Sequence, residues 1–342
     1  MTTTHQIPEL PSVVDQLLET ISSQAVDLIL TQNNPDPDAI ASTAALAYLC
    51  KETLHLQPSI FYRGLIGRAE NQALVRSLAQ DFPVIKKWDS HAPYHAVLVD
   101  VQPGSGMLSL PENVQVAAVI DRHRIHQPVD ADFVDIRPAL GATSTILTEY
   151  LRLAGLEPPP HLATALFYGI KTNTLSLGRG ASLPDVEAYF YLQSRINVEA
   201  LAEIENVQLP AEYFSIFAGV LETTRIYDHM IINFLGEMKY PDLAAEMAEF
   251  LLRYEHARCV LCAGCYGDAY HFSIRSRSPK PRADELAVRL TEDGGAAGGR
   301  GEAAGGMIPL VDSNPEQIYA DMLKKTLQFL VLPEDTPGLP LI

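Results

Sequence analysis

At 342 residues the chain is longer than one average globular core, and a prior of roughly 100–200 residues per domain points to two. Its formal net charge of -17, from 25 Lys plus Arg against 42 Asp plus Glu, repels polyanions at long range and so excludes long duplex nucleic acid and anionic membranes as main partners. No run approaches the roughly 18–20 apolar residues that cross a bilayer, and the N-terminus MTTTHQIPEL has neither the basic nor the apolar region of a signal peptide, so a cytoplasmic protein is expected.

Residues 10–22 (LPSVVDQLLETIS) carry apolar side chains at helical spacing. The apolar run at 26–30 stops abruptly in TQNNPDPDAIAS, and a helix begins at Asp38. Residues 59–62 form another short strand ahead of a glycine-containing loop, and 73–78 start the next helix. Two further apolar runs, AVLVD at 96–100 and VAAVID at 116–121, each end in an acid, and 142–153, 161–169 and 183–192 read as helices. Apolar strands alternating with helices predict an α/β domain whose mainly parallel sheet is covered on both faces. Such sheets bind ligands at the carboxyl ends of their strands, where Asp36, Asp38, Asp100 and Asp121 all fall.

After residue 206 the pattern changes. Residues 227–234 read as a strand, 244–254 as a helix, 257–265 and 270–276 as a hairpin, and 283–290 as a helix before the loop DGGAAGGRGEAAGG. That order predicts a smaller α+β domain. The expected domains span residues 1–196 and 213–342, with a linker over 197–212. The spacing of Cys259, Cys262 and Cys265 suggests metal or redox chemistry. Residues three apart on a strand point to opposite faces, however, so the thiols are read as small core groups.

Asn34-Pro35-Asp36-Pro37-Asp38 puts two carboxylates at a strand-to-helix turn. Alone, such a pair is more often a helix cap than a divalent-cation site. Asp100, Asp121 and His123 meet at the same sheet edge, and converging acids repel one another unless a cation neutralises them.

Taken in order, NPDPDAIAS, VLVD, VIDRH, GIKTNT and GGRGEAAGG resemble the motifs of the DHH phosphoesterases with their DHH-associated C-terminal domain. This superfamily includes RecJ-like nucleases, nanoRNases, cyclic-dinucleotide phosphodiesterases and manganese pyrophosphatases. The similarity covers about residues 25–310. It implies two manganese ions that share Asp100, with Asp36 and Asp38 as further ligands, activating a water that attacks phosphorus. Asp121 and His123 take the catalytic positions, His123 against the phosphate.

Several positions depart from the family pattern. Gln32 stands where a ligand histidine is expected, Arg122 inside the Asp-His-His signature, Asn173 in place of a ligand aspartate, and Arg300 in place of the Gly-Gly-His histidine. Arg68 falls in a stretch where many relatives carry histidine. A guanidinium cannot donate a lone pair and repels a nearby cation, so manganese is expected to be absent or weakly held.

An arginine fork suits phosphate. Arg122, Arg300 and Arg68, the backbone of Gly298 and Gly299, and Ser273 with Arg275 on the preceding strand form the expected phosphate-binding set. The bland reading of the arginines is that they form internal ion pairs that preserve the fold. The functional expectation is a nucleotide or short-oligonucleotide phosphate bound with hydrolysis weak or absent. The alternatives are an active manganese-dependent phosphodiesterase acting on nucleotides, cyclic dinucleotides or short oligonucleotides, and a structural partner in a protein complex. A homodimer is admitted.

Overall fold

The computed structural model describes residues 12–78, 89, 91–108, 110–125, 127–277, 281–310 and 314–342. The chain divides into two compact units, Met1–Ile66 with Glu70–Val207, and Gln208–Ile342 with the short segment Gly67–Ala69. Among the described residues no helix is long and apolar enough to cross a membrane.

The first unit is built on strands β1 (Leu28–Leu30), β2 (Ser59–Phe61), β3 (Tyr94–Val99), β4 (Val114–Asp121) and β5 (Phe133–Ile136). They form one parallel sheet in the order β2-β1-β3-β4-β5. The strands are apolar on both sides because both faces are covered. Ile29, Val97, Val99, Ala118 and Ile120 feed one hydrophobic cluster, and Leu28, Leu30, Ala96, Leu98 and Val119 feed another. Strand β5 follows a polar stretch and carries only four residues, so its pattern gave no strand expectation.

The helices of this unit are α1 (Val13–Ser23), α2 (Pro37–Leu54), α3 (Ala69–Leu78), α4 (Thr143–Leu153), α5 (Pro160–Asn173), α6 (Leu183–Gln193) and α7 (Val198–Glu205). Helix α2 is buried from Asp38 to Cys50 on nearly every side because α4 and α5 pack against it. Its small residues Ala39, Ala41, Ser42, Ala44 and Ala45 permit that close approach. The expected linker at 197–212 is instead largely helical. Helix α7 packs on α5 through the buried Ile204, and α8 (Ala211–Thr223) already belongs to the second unit. A single buried apolar position in a Glu-rich stretch left no visible periodicity.

The second unit carries strands β6 (Arg225–Tyr227), β7 (Met230–Glu237), β8 (Cys259–Tyr266), β9 (Ala269–Ser276), β10 (Ala296–Arg300), β11 (Ala303–Pro309) and β12 (Leu339–Pro340). They form a sheet in the order β10-β11-β9-β8-β7-β6-β12, antiparallel except for β7 beside β8. Helices α9 (Leu243–Leu251), α10 (Ala283–Leu290) and α11 (Pro315–Phe329) complete it.

Two expectations are corrected here. The single strand expected at 227–234 is the hairpin β6-β7, turned at Asp228 with φ 57°, a left-handed conformation that Asp tolerates better than most residues. The glycine-rich segment expected as a loop is the edge hairpin β10-β11, with Gly298 opposite Gly305 and Gly299 opposite Ala304. A Cβ on Gly299 would stand 2.4 Å from Ala304, so close strand approach, rather than flexibility, accounts for that glycine.

The cysteines pack as core groups. Cys259 and Cys265 face one hydrophobic cluster and Cys262 the other. Burial pushes the Cys259 thiol up to about 12 and raises Cys262 as well, which leaves them inert.

Candidate functional site

The loop after β1 turns into α2 at Asp36, whose Oδ1 caps the helix by accepting from Ala39 N at 2.9 Å, with Pro37 at the first helical position. Asp38, two residues on, is fully buried and aims at α4. Its Oδ1 accepts from Ser144 N at 2.7 Å and Ser144 Oγ at 2.5 Å, and its Oδ2 from Thr143 N at 2.8 Å and Asn173 Nδ2 at 2.7 Å. Ala142, at the cap of α4, makes no side-chain cap bond. Asp38 therefore supplies in space the cap that α4 lacks in sequence.

The turn before α4 is anchored separately. Asp185 is fully buried and accepts from Gly141 N, Thr145 Oγ1, Ser182 N and Ser182 Oγ at 2.6–2.8 Å. On the other flank, a Cβ on Gly169 of α5 would lie 2.6 Å from Ser144 Oγ and 3.1 Å from Asp38 Cα. Gly169→Ala is expected to lower stability by about 1–3 kcal/mol through overpacking. Urea unfolding checks this, and an unchanged midpoint would mean that α5 yields without strain.

Asp100 follows directly on β3 with φ 59° and is fully buried. Its Oδ1 accepts from Thr143 Oγ1 at 2.6 Å, while Oδ2 is buried with no hydrogen-bond partner among the described residues. Arg122 reaches back from the end of β4, placing Nε 3.4 Å from Asp38 Oδ2 and 3.9 Å from Asp100 Oδ1, with its side chain 19% exposed. Burial, then the charges of Asp38 and Asp36, push the Asp100 carboxyl well above the usual range, and Arg122 only partly offsets them. Asp36, part-exposed as a residue, is likewise raised by desolvation and then by Asp38. Burial works against the charge of Arg122, but Asp100, Asp38 and Asp36 outweigh it and hold the guanidinium charged.

Asp121 is tied from several directions. Its Oδ1 accepts from the backbone N of Arg122 at 2.7 Å and of His123 at 3.1 Å, and meets His123 Nδ1 at 2.8 Å. Gln102 Nε2 donates to Asp121 Oδ2 at 2.7 Å and to His123 O at 3.0 Å. Burial raises the Asp121 carboxyl, but the bonds from His123 and Gln102 prevail and hold it below the usual range. With Nδ1 engaged, His123 keeps Nε2 without a partner among the described residues. Its side chain is 30% exposed.

The donor chemistry separates two halves of this site. On the Asp38 side it does not fit a divalent ion: a carboxylate only accepts, so Asn173 presents NH2 rather than its oxygen, and Arg122 adds fixed positive charge. Gln32, two residues beyond β1, is buried. On the other side it fits, since Asp100, Asp121 and His123 each offer a ligand atom within 4.8 Å of the others, and carboxylate with imidazole suits manganese.

The expected ligand residues of the second unit have partners within that unit. Arg68 Nη1 is 2.9 Å and Arg275 Nη2 3.1 Å from Glu249 of α9, so one carboxylate holds both forks. Although burial opposes it, their charge lowers the Glu249 carboxyl to about 2. Arg275 Nη1 also donates to Ser273 Oγ at 2.7 Å. Gly298 and Gly299 lie within β10, and Arg300 ends it.

The DHH family N-terminal domain matches residues 28–170, the stretch that contains Asp36, Asp38, Asp100, Asp121 and His123. Over that stretch the chain carries a DHH N-terminal domain. This DHH protein is 34% identical over 284 residues to an uncharacterized protein of Methanocaldococcus jannaschii, covering 83% of this chain and 58% of that one. It is 24% identical over 184 residues to a probable manganese-dependent inorganic pyrophosphatase of Streptococcus pyogenes, covering 53% of this chain and 56% of that one. The DHH protein thus spans little more than half the length of these relatives. An exopolyphosphatase-related protein from Bacteroides fragilis shares the fold, with a TM-score of 0.69 at 13% identity over 93% of this chain and 96% of that one.

Three contacts of the site carried no expectation from sequence. Thr143 and Ser144 read only as the start of a helix, and Gln102 lies outside every expected element. Their one signal is position: Thr143 and Ser144 open α4, and Gln102 lies two residues after Asp100.

Proposed function

We propose that this DHH protein binds the phosphate of a nucleotide or short oligonucleotide and hydrolyses it weakly or not at all. The observation that carries this reading is Arg122, a fixed cation 3.4 Å from Asp38 and 3.9 Å from Asp100. A cation on Asp38 has to displace that guanidinium and also the donors Thr143 N, Ser144 N and Asn173, each of which would lose a buried hydrogen bond. Two ions that flank an attacking and a leaving oxygen are then out of reach.

The same groups suit recognition. Arg122 comes nearest the acids through Nε, and its guanidinium fork suits a phosphate bidentately. His123, oriented by Asp121, offers Nε2. In the second unit Gly298, Gly299, Arg300 and Ser273 are the proposed ligand contacts, while Arg68 and Arg275 are already shared with Glu249. The charge of -17 favours a small ligand over long duplex nucleic acid or membrane, and a cytoplasmic setting accords with it.

A second reading, an active manganese-dependent phosphodiesterase, draws support from the grouping of Asp100, Asp121 and His123. Calorimetry with the 5′-phosphorylated dinucleotide pApA in EDTA separates the two. The first reading expects binding without metal, weakened about tenfold or more by Arg122→Gln, the loss of one charge-assisted phosphate contact. Binding that appears only with manganese, or that ignores Arg122→Gln, contradicts it.

A further inference from the structure

We infer that this DHH protein keeps a single exchangeable divalent-cation site, and that it lies on Asp100, Asp121 and His123 rather than on Asp36 and Asp38. The inference rests on the reading above in which Arg122 closes the Asp38 side.

Charge balance is the first support. Asp36, Asp38, Asp100 and Asp121 converge, and the last three are fully buried. Arg122 contributes one positive charge among them. Buried carboxylates left uncompensated take up a proton or a cation.

The second support says where the deficit sits. Asp38 is served by four donors at 2.5–2.8 Å as well as by Arg122. Asp100 has Thr143 on Oδ1, but its Oδ2 is buried with no donor among the described residues. His123 Nδ1 stands 3.8 Å from Asp100 and 2.8 Å from Asp121, so the carboxylate with the unserved oxygen and the His123 imidazole are neighbours. Two carboxylates and an imidazole make a donor set for manganese or zinc.

Occupation needs one local exchange. The Nδ1 proton moves to Nε2, and the Nδ1 lone pair and Asp121 Oδ1 turn from each other to the ion. Asp121 keeps its bonds from the amides of Arg122 and His123 and from Gln102, which hold it as outer partners of a metal ligand do. The bound ion would supply Lewis-acid polarisation of a phosphoryl oxygen. His123 Nε2–H remains available to donate to the ligand.

The test is a manganese titration of the full chain, without nucleotide, followed by pulsed EPR of the loaded protein. The expected result is one ion per chain with nitrogen hyperfine coupling from a histidine. His123→Ala abolishes that coupling and weakens affinity about tenfold or more. Asp36→Asn, which caps α2 as well as Asp does, leaves both essentially unchanged. Because His123 is part-exposed, its variant folds, and circular dichroism confirms this. No ion at millimolar manganese, or an ion without nitrogen coupling whose affinity depends on Asp36, overturns the inference. Since phosphate binding is measured in EDTA, failure of the metal site leaves that reading standing. Conversely, manganese uptake without ligand binding in EDTA overturns the phosphate reading alone.

Discussion

Replacing Arg122 by leucine lowers the unfolding free energy by about 3–5 kcal/mol near neutral pH, the usual effect of removing one partner from a buried ionic cluster. Asp38 and Asp100 are fully buried and have their guanidinium partner at 3.4 and 3.9 Å. Without it their charges face one another and Asp36 in a medium that screens poorly. The sign with pH follows from Asp100, whose folded carboxyl already stands well above the ordinary 3.8. A group raised in this way contributes stability that is fully present below its unfolded value and lost as pH rises through its folded value. Arg122 acts to lower that folded value, so its removal deepens the loss toward neutral pH, and acidification restores part of it. Urea unfolding across pH measures this. A loss below about 1 kcal/mol, as for an exposed pair, would mean that Arg122 is not the cluster's counter-charge.

Asp38→Ala is expected to cost about 3–5 kcal/mol for a different reason: it strands donors. Thr143 N, Ser144 N and the Asn173 amide all end on this carboxylate, and each buried donor left unmade costs roughly 1–3 kcal/mol. Relief of repulsion from Asp36 and Asp100 offsets part of the sum. Hydrogen exchange locates the effect, since the amides of Thr143 and Ser144 lose protection before the rest of α4. Protection unchanged at those two amides would show that Asp38 does not cap the helix.

The first unit was largely legible because its strands are buried on both faces and therefore read as unbroken apolar runs, as AVLVD and VAAVID do. The acids ending those runs marked the site edge for the same reason. What escaped notice had no periodic signal. Asp38 reads as a turn or metal residue in NPDPD, yet its partners are the amides of α4, more than 100 residues away in sequence. Nothing local distinguishes a long-range cap from a ligand. The segment around Gly299 read as a loop because glycine is a turn former, whereas here Gly299 lets the edge strand β10 lie close against β11. Arg68 and Arg275 read as ligand groups because an arginine near a presumed cleft advertises charge. Their shared partner Glu249 lies in a helix that sequence alone does not bring to them.

The measurement that tests the account most directly is turnover. The full chain is incubated with pApA in millimolar manganese, and product is quantified against enzyme-free and Asp100→Ala controls. Wild type is expected barely to exceed both, because Arg122 stands where a second cation would be needed. Robust hydrolysis, abolished by EDTA and by Asp100→Ala, would contradict it and make the DHH protein a working metal-dependent phosphodiesterase.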